Sequence, residues 1–106
     1  LRYRLGDEEG AEVFYRKVLA LDPSHPEALY NLGFVAQDQG DDASAIHYFE
    51  AALASDPDFA DCHFNLALAL VSSERAADAA SHWRRYLEIE PDGPWASVAE
   101  RHLTNA

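Results

Sequence analysis

The sequence contains no methionine and only one cysteine, Cys62, in 106 residues. A single cysteine cannot form a disulfide within the chain, so packing has to hold the fold together. That composition suits a reducing compartment, and we expect a cytoplasmic location. No apolar run approaches the roughly 20 residues that cross a bilayer, and the first residues show no signal-peptide pattern. We therefore expect no membrane association.

Basic residues are also scarce. Eight Lys and Arg stand against 19 Asp and Glu, which gives a formal charge of −11. Between Pro26 and Glu74 there is no Lys or Arg, whereas there are nine carboxylates. Such a surface repels phosphate backbones, so we predict no direct nucleic-acid binding and a neutral or basic protein or peptide partner. The alternative is that these carboxylates only keep the chain soluble.

The residue patterns of catalytic, metal and cofactor sites are missing. The five histidines show no His-x-x-x-His spacing, and one cysteine excludes Cys-x-x-Cys. Cys62 and His63 are adjacent, so their side chains point in different helical directions and packing explains them better than a metal or nucleophile pair. We predict no enzyme activity, no cofactor and no metal in this segment.

What the chain does contain is a repeat of 34 residues. It is marked by three acidic-proline dipeptides, Asp22-Pro23, Asp56-Pro57 and Glu90-Pro91. The chain starts inside this pattern and without a methionine, so we expect a fragment of a longer protein. We predict one domain that consists of the C-terminal part of a truncated repeat, two full repeats and a capping helix, at residues 1–25, 26–59, 60–93 and 94–106.

Each full repeat has the period of two helices. In the first one, apolar and small residues recur in two helical stripes, Leu29, Leu32, Gly33 and Ala36, then Ala45, Phe49, Ala52 and Leu53. Gly40 and Asp41 between the stripes predict a left-handed turn and the cap of the next helix. We therefore predict antiparallel helix pairs. The same pattern predicts a helix over 7–21, after the last turn of an earlier helix at 1–5, and a final helix over about 94–103.

These spaced residues resemble the tetratricopeptide repeat family over essentially the whole chain. The matching positions are Leu29, Leu32, Gly33, Ala36, Ala45, Phe49, Ala52 and Pro57, then His63, Leu66, Ala67, Leu70, Ala79, Trp83, Tyr86 and Pro91, with Ala11, Tyr15, Val18 and Pro23 in the half repeat. The resemblance implies an all-α fold, an α-solenoid of antiparallel helix pairs wound as a right-handed superhelix.

Three residues depart from the family pattern. His63 replaces a large apolar residue, Glu74 replaces the turn glycine, and Tyr86 replaces a small residue. Glu74 requires either a different turn or a residue in left-handed conformation. Tyr86 suggests a wider spacing between the last repeat and the cap.

The resemblance also implies a concave groove, lined by the first helix of each pair, that binds a peptide or partner segment. The partner-binding residues that it implies are Glu27, Tyr30, Asn31, Phe34, Gln37, Asp61, Phe64, Asn65 and Leu68. The groove would extend through Tyr3, Arg4, Asp38, Val71 and Ser72. Independently, Tyr30 and Phe34 form a second apolar stripe beyond what pairing needs, which indicates a contact surface unless they pack on neighbouring repeats.

Asn31 and Asn65 occupy the same position in the two repeats. Their amides could hydrogen-bond to the backbone of an extended peptide, or instead to the backbone of the adjacent repeat. The asparagine clamps of the family that hold a terminal carboxylate need cationic neighbours, which are missing here, so that mechanism is disfavoured.

We therefore predict a protein–protein interaction module without intrinsic catalysis. The alternative is a self-association or regulatory segment of a larger bacterial protein, because residues 82–103 are similar to the repeat tails behind MerR-like DNA-binding domains. On that alternative, Phe14, Val18 and Leu21 form an exposed face that pairs two copies.

Overall fold

A computed structural model describes residues 8–104 of the protein, with side chains from residue 10 onward. Every regular element in this range is a helix: α1 (Glu8–Leu21), α2 (Pro26–Asp38), α3 (Asp42–Ser55), α4 (Ala60–Ser72), α5 (Ala76–Ile89) and α6 (Ala96–Thr104). The predicted helix at 1–5 and the groove extension at Tyr3 and Arg4 lie outside the described residues. No helix in the described range is long and apolar enough to span a membrane.

The helices form stacked pairs, which confirms the predicted all-α solenoid. α2 packs against α3 and α4 against α5, while contacts between α3 and α4 join the two pairs. In the first pair Gly33 lies against the fully buried ring of Phe49, and a Cβ at residue 33 would approach its Cε1 atom to 2.6 Å. Ala67 and Trp83 hold the equivalent positions in the second pair, and both are buried.

The turns inside the two pairs have the same geometry despite their different residues. Gly40 has a φ of 79° and Glu74 a φ of 61°, so both are left-handed. The N–H of Asp41 donates to the carbonyl of Ala36 at 2.9 Å, and the N–H of Arg75 donates to that of Leu70 at 2.7 Å. The second repeat therefore keeps the turn and places a glutamate where the backbone favours glycine.

Side chains cap two of the helix starts. Oδ1 of Asp41 accepts the N–H of Ser44 at 3.2 Å, and Nδ1 of His25 accepts the N–H of Ala28 at 3.1 Å. Hydrogen bonds from the hydroxyl and N–H of Ser44 lower the pKa of Asp41. Neither α4 nor α5 has a side-chain cap, so these helices depend on packing for their position.

Tyr86 fits at a position usual for a small residue because the following loop makes room for it. Its side chain is fully buried, and its hydroxyl accepts the backbone N–H of Trp95 at 3.2 Å. A Cβ at Gly93 would lie 2.6 Å from that hydroxyl, so glycine is required beside it. α6 begins just after this contact, two residues later than the sequence predicts, and packs on α5 through the buried Ala99.

Candidate partner-binding surface

The predicted site residues lie on α2 and α4, the first helices of the two full repeats. We call the side of α2 and α4 that carries these nine residues the groove face. Two hydrogen bonds connect the helices there. Nδ2 of Asn65 donates to the hydroxyl of Tyr30 at 2.8 Å, and Nε2 of Gln37 donates to the backbone carbonyl of Asn65 at 3.3 Å. These bonds fix how the two helices lie beside each other.

The two asparagines differ in their hydrogen bonding. The Asn65 amide donates to Tyr30 and also to the backbone carbonyl of Asp61, at 3.1 Å. The adjacent repeat therefore does engage Asn65, through a side chain rather than the backbone. Asn31 is half-buried, and none of the described residues hydrogen-bonds to its amide. Its polar atoms still reach solvent, since no fully buried side-chain polar atom in the described range lacks a partner.

The aromatic residues at the equivalent position of the two repeats, Tyr30 and Phe64, also differ in exposure. The Tyr30 ring is half-exposed and has its centroid 4.8 Å from that of Phe59. The Phe64 side chain is only 8% exposed, because Trp83 and Tyr86 lie beside it and Trp95 stacks on it with centroids 5.6 Å apart. Phe64 therefore offers little contact area, whereas Trp95, at 47% exposed, presents a ring beside it.

Sequence reasoning missed Phe59 and Trp95 as parts of this surface. Both lie just before a helix in the structure, whereas the sequence pattern places Trp95 inside the helix predicted over about 94–103. A signal was nevertheless present, because each follows a repeat-ending proline by two to four residues. An aromatic residue at that place can reach back onto Tyr30 or Phe64, the ring at the fifth position of the repeat that the proline ends.

The remaining predicted residues give the groove face an apolar centre and acidic edges. Phe34 and Leu68 are half-exposed, and Leu68 packs on the core with its inner side. Glu27 and Asp61 are exposed at the same register of α2 and α4, and Asp38 is exposed at the end of α2. No Lys or Arg occurs on α2, α3 or α4. The electrostatic potential there therefore favours cations over anions.

Reactive groups are placed where they support structure. Cys62 is buried, and its thiol donates to the carbonyl of Phe49 at 3.3 Å. Burial, together with the nearby charges of Asp56 and Asp61, raises the pKa of Cys62 to about 12, so the reactive thiolate is disfavoured. Within the described range, His, Cys, Asp and Glu side chains form no group of three or more that could hold a metal.

Two histidines that look scattered in the sequence are in contact. The Nδ1 atoms of His63 on α4 and His82 on α5 lie 3.0 Å apart. The sequence signal for this contact was the repeat itself, since one histidine falls on each helix of a single predicted pair. Spacing within one helix could not reveal it.

Comparisons with known proteins agree with this architecture. A family model described as "Tetratricopeptide repeat" matches residues 35–94, and one described as "TPR repeat" matches residues 1–40. A comparison with curated protein sequences finds no match.

Several solved structures are similar to the chain. The Yersinia enterocolitica type III secretion chaperone SycD, in complex with a peptide of the translocator YopD, superposes with a TM-score of 0.84 at 21% identity, covering 94% of this chain and 79% of SycD. A Thermobaculum terrenum O-GlcNAc transferase mutant gives 0.77 at 32% identity, covering 82% of this chain and 17% of that one. The protein MamA gives 0.71 at 24% identity, with coverage of 80% and 46%. The likeness to SycD and MamA is one of fold.

Proposed function

This chain belongs to the tetratricopeptide repeat family, and on that premise we propose that its groove face binds an extended, neutral or basic segment of another protein. The family assignment and the fold support a protein–protein interaction module. SycD, which shares the fold, was solved with a peptide of YopD, and that complex supplies the analogy for peptide binding.

The observation that carries the proposal is the environment of Asn31. Asn31 is a half-buried residue of the groove face, and none of the described residues hydrogen-bonds to its amide. A side-chain amide offers a donor and an acceptor, which matches the N–H and C=O of an extended peptide backbone. Tyr30 and Phe34, one residue before and three after it on α2, leave part of their rings exposed for apolar side chains of the partner.

The charge preference follows from the acidic edges of the groove face. Glu27 and Asp61 are exposed on neighbouring helices, and no cation lies between residues 26 and 74 to neutralise them. A partner with Lys or Arg beside its apolar residues would gain attraction and faster association, both of which weaken as salt is added. An acidic partner would be repelled.

We propose to test this with a displayed library of random peptides selected on the protein, followed by fluorescence anisotropy of the enriched peptides. The change Asn31→Ala should weaken binding about fivefold to tenfold, corresponding to the net value of about 1 kcal/mol for one hydrogen bond. Phe34→Ala should weaken it further through the lost apolar contact. Peptides that bind both variants as tightly as they bind the wild-type protein would contradict the groove assignment.

The charge component has a matched control. Reversing both groove carboxylates, with Glu27→Lys and Asp61→Lys, should weaken a basic peptide strongly at low salt and less at high salt. Glu50 is an exposed carboxylate on α3, so Glu50→Lys tests a charge reversal on a different helix. If Glu50→Lys lowered the affinity as much as Glu27→Lys alone or Asp61→Lys alone, the effect would be one of net charge only.

Self-association is a second candidate, and one observation favours it. Three apolar side chains on α1 are largely exposed: Val13 at 54%, Phe14 at 60% and Leu21 at 91%. Covering them in a second copy would remove apolar area from water. Light scattering over a wide concentration range tests this, and a strict monomer argues against it. A regulatory role in a larger bacterial protein and the absence of catalysis stay predictions.

A further inference from the structure

The contact between His63 and His82 is part of a set of hydrogen bonds that joins α4, α5 and the loop before α4. His63 lies on α4 and is only 8% exposed, and His82 lies half-buried on α5. Nε2 of His63 hydrogen-bonds the carbonyl oxygen of Pro57, in the loop before α4, at 2.7 Å. We call His63, His82 and the Pro57 carbonyl the histidine clasp.

The ring geometry is that of a hydrogen bond between the two imidazoles. The ring centroids are 5.2 Å apart, whereas the Nδ1 atoms are 3.0 Å apart. The nitrogens therefore lie between the rings, and each Nδ1 is directed at the other. Two lone pairs directed at each other cannot converge on one metal ion, so a shared proton explains the contact better than a missing metal.

The Pro57 carbonyl determines where the protons are. A carbonyl can only accept, so Nε2 of His63 carries a proton. Neutral His63 then has a bare Nδ1, and Nδ1 of His82 has to carry the proton that joins the rings. The neutral clasp thus consists of two donated hydrogen bonds, from His82 to His63 and from His63 to Pro57. His82 holds the Nδ1–H tautomer, which is the less common one for a free imidazole.

The two imidazoles can take up two further protons as the pH falls. A first extra proton can enter at Nε2 of His82 without breaking either hydrogen bond. A second can enter only at Nδ1 of His63, where it would place two N–H groups face to face at 3.0 Å. The doubly protonated clasp therefore has two positive rings in contact and no hydrogen bond between them.

The charged groups around the clasp do little to stabilise two protonated imidazoles. The charged groups within one turn of the histidines, or in the loop that holds Pro57, are Asp56, Asp58, Asp61, Asp78, Arg84 and Arg85, of which Arg84 is exposed. Among these, Arg85 pairs with Asp58, and Asp78 pairs with Arg75. Asp56 accepts a loop N–H, Asp61 is exposed, and none of the described carboxylates hydrogen-bonds to either imidazole.

The other helices that pack on α4 and α5 add no counter-charge either. The charged or titratable residues in the middle of α3 are His47 and Glu50, both exposed, and the half-buried Tyr48. On α2 they are the exposed Glu27 and Asp38 and the half-buried Tyr30. On α6, Glu100 and Arg101 are exposed, and the ring of His102 stacks on Trp83 with centroids 4.3 Å apart. Burial, and then repulsion from His63, lowers the pKa of His82, in agreement with this arrangement.

We propose that the histidine clasp is a proton-sensitive lock on the second full repeat, closed when both rings are neutral and released when both are protonated. In the first full repeat the position of His63 is held by the apolar Leu29, which is buried. A leucine would hold the helix pair together at every pH, whereas the histidine makes α4–α5 packing depend on protons. If the groove face binds as proposed above, α4 would also release its partner in acid, a consequence that rests on that proposed function.

The sign of the pH effect follows from linkage. A group with a lowered folded-state pKa binds fewer protons when folded than when unfolded. Stability is therefore complete above the unfolded pKa of histidine, about 6.5, and is lost as the pH falls below it. Each proton involved raises the unfolding equilibrium constant by at most about tenfold per pH unit.

Urea unfolding between pH 8 and pH 5.5 tests this, because most Asp and Glu remain ionised over that range. The wild-type unfolding constant should rise severalfold on acidification. It should rise less in His82→Gln, whose amide can donate to or accept from His63 in either state, and less in His63→Leu. His47→Gln is the matched control, since His47 is exposed on α3, and should follow wild type. Parallel profiles for all four proteins would overturn the proposal.

Ring nitrogen chemical shifts of the wild-type protein provide a second test that needs no variant. At pH 8 we expect His63 as the Nε2–H tautomer and His82 as the Nδ1–H tautomer. On acidification the same spectra should show the loss of the signal from the shared proton. A His82 that holds the Nε2–H tautomer at pH 8 would show that the hydrogen bond between the rings does not exist, even if a variant fails to fold.

Discussion

The side-chain amide of Asn65 donates a hydrogen bond to the hydroxyl of Tyr30, 35 residues earlier in the chain and on the preceding repeat. The equivalent residue of the first full repeat, Asn31, has no such bond to any described residue. One residue type at one repeat position therefore does two different things. It connects repeats at position 65, whereas at position 31 it hydrogen-bonds to none of the described residues.

This difference predicts unequal effects for the two alanine variants. Asn65→Ala should lower the free energy of unfolding by about 1 kcal/mol, because the half-buried Tyr30 hydroxyl loses its donor. Asn31→Ala should change it by less than about 0.5 kcal/mol. Urea denaturation measures both, and adding Tyr30→Phe completes a double-mutant cycle for the bond. Additive effects of Asn65→Ala and Tyr30→Phe would show that the bond contributes nothing to stability.

Two glycine-to-alanine changes should have opposite signs. Alanine at residue 33 would bring its Cβ to 2.6–2.7 Å from two atoms of the Phe49 ring, which is fully buried and has no free space to move into. We expect a loss of about 1–3 kcal/mol from overpacking. Gly10 has nothing within 4 Å of such a Cβ, so Gly10→Ala should stabilise helix α1 by about 0.5–1 kcal/mol. Thermal unfolding compares the two, and equal shifts would contradict the close approach at Gly33.

The left-handed glutamate predicts a stabilising substitution. Glu74→Gly removes about 1–2 kcal/mol of left-handed strain, and the greater freedom of glycine in the unfolded chain offsets about half of it. We expect a net gain of up to about 1 kcal/mol in urea denaturation. Gly40→Ala, at the equivalent turn, should lose about 1 kcal/mol instead. If Glu74→Gly lowered the free energy of unfolding, the Glu74 side chain would stabilise the fold by more than its left-handed backbone destabilises it.

The burial of Cys62 predicts that its thiol reacts slowly with thiol reagents in the native state. Because the pKa of the buried Cys62 is about 12, a thiol reagent at pH 8 finds only on the order of one thiolate per ten thousand molecules, behind packed side chains. Labelling by a disulfide reagent should therefore proceed only through opening of the fold and should accelerate as urea is added. Fast labelling without denaturant would contradict the burial of Cys62.

The repeat pattern was sufficient to predict helix pairing and the turn at Gly40. It also put Gly33 and Phe49 in the two stripes of one helix pair, and the structure shows that they lie in close contact. It left Glu74 with two alternatives, and the structure shows that the left-handed one is correct, with a φ of 61°. The start of the last helix shifted by two residues, since Tyr86 holds the N–H of Trp95 before the helix begins.

Contacts between repeats were harder to predict. The family resemblance implied a groove position for Phe64, and the structure places it mostly under Trp95, which the sequence assigned to the last helix. The same applies to the pairing of His63 with His82, whose partners come from two helices. In both cases the deciding neighbour is distant along the chain, and no local spacing records it.

The sequence by itself determined the architecture of this protein, because a 34-residue period and small residues facing large ones leave one way to pack the helices. Only the tertiary structure decided which polar side chains form hydrogen bonds within the molecule. It assigned the Asn65 amide to Tyr30 and the His82 ring to His63, and it left the Asn31 amide without a partner among the described residues. The physical reason is that helix periodicity follows from local backbone geometry, whereas a hydrogen bond between repeats depends on distances that arise only when the pairs stack.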